Sequence, residues 1–138
     1  MYYIIGKVAS LKPTFIVVEC RGIGYGFYIS LRTYSQISEQ QEVKIFTESL
    51  YSRDDLPKTY GFFEEAEREL FRKLVSVSGV GGNSALLLLS SLAPQDIETA
   101  INTANVALLK TIKGIGEKTA QRIVVDLKGK LGKHEGGI

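Results

Sequence analysis

Ser78-Gly79-Val80-Gly81-Gly82-Asn83-Ser84-Ala85 and Lys113-Gly114-Ile115-Gly116-Glu117-Lys118-Thr119-Ala120 are two copies of one stretch, set 35 positions apart. The match runs past the glycines: Leu74 aligns with Leu109, Val80 with Ile115, Ala85 with Ala120, Leu89 with Val124 and Leu92 with Leu127. The second half of the chain is therefore an internal duplication of a Gly-apolar-Gly turn between two helix-like segments. Glycine tolerates positive φ and leaves backbone N–H groups unshielded. The helix that follows starts with unpaired donors and the positive end of its dipole. Such a turn can grip a phosphate without reading a base, with Val80 or Ile115 pointing back between the helices to lock it.

Around these turns the texture is helical. Glu64 to Val77 carries Leu70, Phe71, Leu74 and Val75 at helical spacing, with Glu64, Glu65, Glu67 and Glu69 in the first turns, where the dipole favours negative charge. Further helices are expected over Asn83 to Leu92, Gln95 to Thr103, Val106 to Ile112 and Thr119 to Leu131. Pro94 fits the first turn of the third, with Ser91 or Ala93 near its cap. From Val106 onward seven Lys or Arg (Lys110, Lys113, Lys118, Arg122, Lys128, Lys130, Lys133) face three acids, so the second turn lies in a basic segment.

Before Phe63 the texture is β. Tyr2 to Leu11, Thr14 to Cys20, Tyr25 to Leu31, Glu42 to Ser52 and Lys58 to Phe62 read as strands, separated by turn signals at Lys12-Pro13 and Arg21-Gly22-Ile23-Gly24. A short helix over Thr33 to Ile37, with Thr33 near its cap, falls between the third and fourth. Five strands with one helix in that place fit a small closed Greek-key barrel of the OB type, the alternative being another five-stranded barrel or a half-open sheet. The chain is thus expected to be multidomain, β then α: a barrel over 1–63, an all-α domain over 64–131, and the start of a linker at 132–138, a segment without apolar period.

Several chemistries are excluded. A P-loop needs G-x-x-x-x-G-K-[ST] after a strand, but Glu117 stands where its second glycine belongs, Gly82-Asn83-Ser84 lacks the lysine, and both copies follow helices. A dinucleotide fingerprint needs glycine where Ser84 stands. One cysteine, Cys20, and one histidine, His134, give neither an intramolecular disulfide nor a protein-only zinc set, and Cys20 reads as a buried structural thiol. Asp126 reads as an ion-pair partner of Arg122 and Lys130 rather than a glycosylase aspartate. Asp54-Asp55, adjacent in a loop, point in different directions and read as solvated acids. No nucleophile has a base beside it, so no catalytic residue, metal or cofactor is assigned. The longest apolar run, Ala85 to Leu89, is far short of a membrane span, and the N-terminus lacks a signal peptide's basic start, which reads as cytoplasmic. What remains is nucleic-acid binding without sequence preference, with a hairpin-family DNA repair enzyme or a general duplex-binding scaffold as the alternatives.

The chain resembles the RuvA family, DNA-binding subunits of the bacterial complex that migrates Holliday junctions in recombination and repair. The residues that carry the resemblance, in order, are the Tyr3-Ile4-Ile5-Gly6-Lys7-Val8 strand, Arg21-Gly22-Ile23-Gly24-Tyr25, Arg53-Asp54-Asp55 followed by Tyr60-Gly61-Phe62, and the two glycine turns. The resemblance implies an OB-fold domain and tandem helix-hairpin-helix motifs. It also implies a non-catalytic homotetramer on a four-way DNA junction, and a RuvB ATPase as partner through a third domain beyond the linker. Gly79, Val80, Gly81, Gly82, Asn83 and Ser84 would then form one phosphate site, and Gly114, Ile115, Gly116, Lys118 and Thr119 the other. Asp54 and Asp55 would form an acidic pin that repels phosphate where strands exchange, which replaces the solvated reading. Gly82-Asn83 stands where many members carry proline and lysine, so the first site lacks a cation. A chain that stopped within the linker would bind junctions without coupling to the motor.

Overall fold

The computed structural model describes residues 1–51 and 56–131. Asp54, Asp55 and the expected linker at 132–138 lie outside the described residues. The chain divides into two units, Met1–Arg68 and Glu69–Ile138.

In the first unit, β1 (Tyr3–Lys12), β2 (Phe15–Cys20) and β3 (Ile23–Tyr28) precede a short helix α1 (Leu31–Ser35), followed by β4 (Glu42–Leu50) and β5 (Lys58–Phe62). The strands close in the order β1-β2-β3-β5-β4. Pairing is antiparallel except for a parallel step at Tyr28 and Tyr60 between β3 and β5. This is the closed OB-type barrel, and the pairing of β1 with β4 from Tyr3–Phe46 to Lys7–Glu42 rules out the half-open sheet. β1 serves two neighbours, β4 with its first half and β2 with its second. A register shift between Val8 and Ser10 lets it bend from one to the other. Alternation sends Val8, Ile16, Val18, Phe27, Ile45 and Phe62 inward, where all are fully buried. Cys20 is half-buried against this core rather than inside it.

β3 starts at Ile23 and stops at Tyr28, short of the expected Leu31, because Ser30 leaves the sheet to cap α1 and its Oγ accepts from the Thr33 amide at 3.1 Å. Thr33, expected near the cap, is buried inside the helix and donates from Oγ1 to Glu67 at 2.8 Å. Ser30 Oγ donates to the other oxygen of the same carboxylate. Helix α2 (Glu65–Val75) thus begins with a buried acid held by two hydroxyls. Burial raises the Glu67 pKa, against the opposing pull of the hydrogen bonds from Ser30 and Thr33 and of the Arg32 charge. Arg68, also fully buried, donates to the Thr47 carbonyl at 3.2 Å and lies 4.1 Å from the centre of the Tyr2 ring. Glu64 accepts from Arg32 and Gln36. The acids that the sequence assigns to the helix dipole therefore also tie the start of α2 to the barrel, which is why the first unit extends to Arg68.

The second unit contains the rest of α2, then α3 (Gly82–Ser91), α4 (Pro94–Asn102), α5 (Val106–Leu109) and α6 (Glu117–Leu127). Phe71, Leu74, Leu88, Leu89, Ile97, Ile101, Leu109, Ala120 and Ile123 form its core. Ala93 caps α4, with Pro94 at its first turn, while Ser91 stays in α3 and donates to Leu87 O. α5 is shorter than expected because Thr111 and Ile112 bond three residues back, to Leu108 and Leu109, and so tighten into a turn. α6 starts two residues before the expected Thr119. It ends at Leu127 rather than Leu131, where Gly129 takes φ +80 and its amide bonds Asn102 Oδ1.

Candidate nucleic-acid interface

The two turns are backbone copies. Gly79 and Gly114 have φ of +93 and +92, a left-handed conformation that L side chains rarely adopt. Val80 then bonds back to Val77 O and Ile115 to Ile112 O, each at 3.0 Å. Both apolar residues are buried, Val80 at 6% exposure and Ile115 at 3%, so they lock the hairpins as the sequence requires. Gly81 and Gly116 are the N-caps of α3 and α6, with φ of −91 in both. Neither offers a side-chain acceptor to the helix, so the first-turn N–H groups are left for another partner.

The second glycine of each hairpin carries the functional signal. A Cβ at Gly81 or Gly116 would meet nothing within 4 Å, and neither backbone needs glycine's freedom. The fold itself asks there only for a helix N-cap, a place that Ser, Thr, Asn or Asp would fill as well and with a side-chain bond besides. A bare glycine instead leaves the backbone open to close approach from outside. The first glycines differ. A Cβ at Gly114 would lie 2.4 Å from Ser84 Oγ, and one at Gly79 would lie 3.3 Å from Thr119 Oγ1. Ser84 and Thr119 occupy the same position in the two copies, so each hairpin leaves room for a hydroxyl from the other. The two hairpins lie side by side, related by the duplication.

Their charges are unequal. Asn83 is the exposed first-turn residue of α3, and Gly82 beside it is buried. In the second hairpin Lys113, Lys118 and Arg122 are exposed. Glu117, which opens α6, would oppose an anion, but Lys110 Nζ donates to Glu117 Oε1 at 2.7 Å and Gln121 to the other oxygen at 3.1 Å. The Lys110 hydrogen bond and charge hold the Glu117 carboxyl below its usual range. Sequence reading missed this neutralisation: a seven-residue spacing across a turn is not one of the helical pairings that it looks for. Asp126 makes no ion pair with a described residue. Lys130 lies past the end of α6, where i, i+4 spacing no longer brings side chains together, and an Arg122–Asp126 pair runs in the weaker direction.

Residues 1–61 match the family profile described as "RuvA N terminal domain", and residues 71–129 match "SAM-like Helix-hairpin-helix tandem". Curated relatives named "Holliday junction branch migration complex subunit RuvA" include that of Bacteroides fragilis, 48% identical over 94% of this chain and 64% of its own length. That of Porphyromonas gingivalis is 49% identical over 94% and 63%. That of Christiangramia forsetii is 45% identical over 95% and 67%. The chain belongs to the RuvA family.

The chain spans about two thirds or slightly less of the length of these RuvA relatives. Its match covers both the barrel and the paired hairpins, the two features of RuvA architecture that the sequence pointed to. Among the described residues there is no cluster of His, Cys, Asp or Glu that could hold a metal ion, and no helix is long and apolar enough to cross a membrane.

Proposed function

We propose that this chain binds four-way Holliday junctions by shape rather than sequence. It would act as the non-catalytic, DNA-binding subunit of a branch-migration complex in homologous recombination and repair, with the ATP-driven work left to a RuvB partner. The observation that supports this most is the pair of cap glycines, Gly81 and Gly116, where the space over the backbone is open and no cap side chain bonds the first-turn helix donors. Gly79, Val80, Gly82, Asn83 and Ser84 complete the first phosphate site, and Gly114, Ile115, Lys118 and Thr119 the second. Val80 and Ile115 act by locking the turn, and Ser84 and Thr119 by packing against the opposite hairpin. Contacts of this kind position a duplex arm and carry no base information.

A homotetramer would set four copies of this hairpin pair around one crossover. Asp54 and Asp55 would then stand near its centre and repel phosphate, which disfavours off-centre binding. Leu87, exposed on α3, and the outer barrel face away from β2 and β3 are candidates for burial between subunits, while Leu88 and Leu89 belong to the core. A gel-shift comparison of a four-way junction with linear duplex of the same sequence tests the reading. Clear preference for the junction is expected at moderate salt, and equal affinity would overturn it. Replacing Asp54 and Asp55 by Asn is expected to raise duplex affinity relative to junction, and an unchanged ratio would remove the pin from the account.

A further inference from the structure

We propose that the outer face of β2 and β3 is a second DNA contact, a shelf on which an unpaired nucleobase stacks. The inference rests on the junction reading above, since strand exchange at a moving crossover breaks and remakes base pairs. Phe15 stands opposite Tyr28 in the β2–β3 register, and Tyr28 lies beside Tyr60 on β5. The Phe15 and Tyr28 rings meet edge to face at 5.1 Å and 76°, and Tyr28 and Tyr60 lie 5.8 Å apart. Phe15, Gly26, Tyr28, Leu56 and Lys58 line an open groove of about 640 Å³, within the range of about 300–1,000 Å³ usual for small-molecule sites.

The groove depends on an absent side chain. A Cβ at Gly26 would lie 2.6 Å from Phe15 Cζ, so the ring lies across β3 only because position 26 is glycine. The barrel core does not need these rings. Their inward neighbours Ile16 and Phe27 fill it, while Tyr28 is 41% exposed and Leu56 86%. Two rings at a steep angle make a corner for a planar heterocycle, and stacking on aromatic side chains tolerates any base. Lys58 Nζ lies 5.9 Å from the Tyr28 ring centre, at the rim, where it would meet the phosphate of the same nucleotide. Charge and ring geometry together favour a nucleotide over an apolar protein segment. Leu56 directly follows Asp55 in the chain, which joins this rim to the segment proposed to keep the exchanging strands apart.

The test uses the 138-residue chain and junctions carrying 5-iodo-2′-deoxyuridine either at the crossover or in mid-arm. After irradiation, crosslinks are mapped by mass spectrometry. Crosslinks from the crossover probe to Phe15 or Tyr28, absent with the arm probe, are expected. Tyr28→Ala, compared at equal folded fraction, should lose about fivefold or more in junction affinity, from the usual worth of one stacked base, while linear-duplex affinity and solution mass stay unchanged and Tyr28→Phe restores binding. The inference is overturned by crosslinks that never reach the barrel face while junction binding is intact, or by equal losses on junction and duplex. A fall in solution mass with Tyr28→Ala also overturns it, since the groove would then be a contact between copies of the chain. If the unaltered chain shows no junction preference, the junction reading itself fails.

Discussion

The two hairpins share one backbone and differ in everything attached to it. Their turn glycines agree within a degree of φ, and their cap glycines share one value. Yet the first presents Gly82, Asn83 and Ser84 to solvent or packing, and the second presents Lys118 beside Lys113, with Glu117 held by Lys110. The duplication has kept the turn and cap geometry and allowed the charges around it to diverge. Under the proposed function, backbone amides are what the two sites would share, and the cation would be an addition at one of them.

The largest effect should come from breaking the backbone identity where it is most crowded. Gly114→Ala combines positive φ with a Cβ that would push the Ser84 hydroxyl aside and should cost about 2 kcal/mol in urea unfolding, the backbone strain plus the lesser cost of turning that hydroxyl away. Gly79→Ala meets Thr119 Oγ1 at a looser 3.3 Å and should cost about 1–2 kcal/mol, the strain alone. The pair measures how far the hairpins lean on each other: Ser84→Ala added to Gly114→Ala should recover part of the loss, and Thr119→Ala added to Gly79→Ala should recover little. Equal costs for the two glycine variants would contradict the crowding.

The charge difference should appear in salt dependence. Lys118→Ala should lower the slope of log affinity against log salt by about 0.9, one phosphate contact. Asn83→Ala should weaken binding with no change in slope. Equal slopes for both variants would mean that the second hairpin's lysine does not reach a phosphate.

A smaller effect separates the barrel unit from the hairpin unit. Glu67 has a pKa raised above its ordinary value of 4.5 by burial. A carboxyl raised in the folded state contributes its stability fully below the ordinary value and loses it as pH rises through the folded one. Thermal melts should therefore show the unaltered chain gaining stability relative to Glu67→Gln as pH falls from neutral towards 4.5. A difference that does not vary with pH would show that Glu67 does not titrate in this way.

Much of this was legible in the residues. Period-two alternation around Ile16 and Val18 and the helix over Glu64 to Val77 follow from side-chain spacing, and the repeat of Gly79 at Gly114 marks the hairpins directly. The buried Glu67 was not legible, because its hydroxyl partners Ser30 and Thr33 lie more than thirty positions away and only closure of the barrel brings them close. The same is true of the contacts between hairpins. Ser84 and Thr119 read as groups for their own phosphates, yet each sits against the other copy's glycine. The flat face at Gly26 was hidden too, since a glycine in a strand says that something approaches closely without saying what.

The central claim is that DNA lies against Gly81 and Gly116. Both accept a Cβ without strain or contact, so Gly81→Ala and Gly116→Ala should each cost no more than about 1 kcal/mol of stability, the poorer N-cap, while each lowers junction affinity severalfold in a fluorescence-anisotropy titration at equal folded fraction. Unaltered junction affinity in both, at equal folded fraction, would contradict the account.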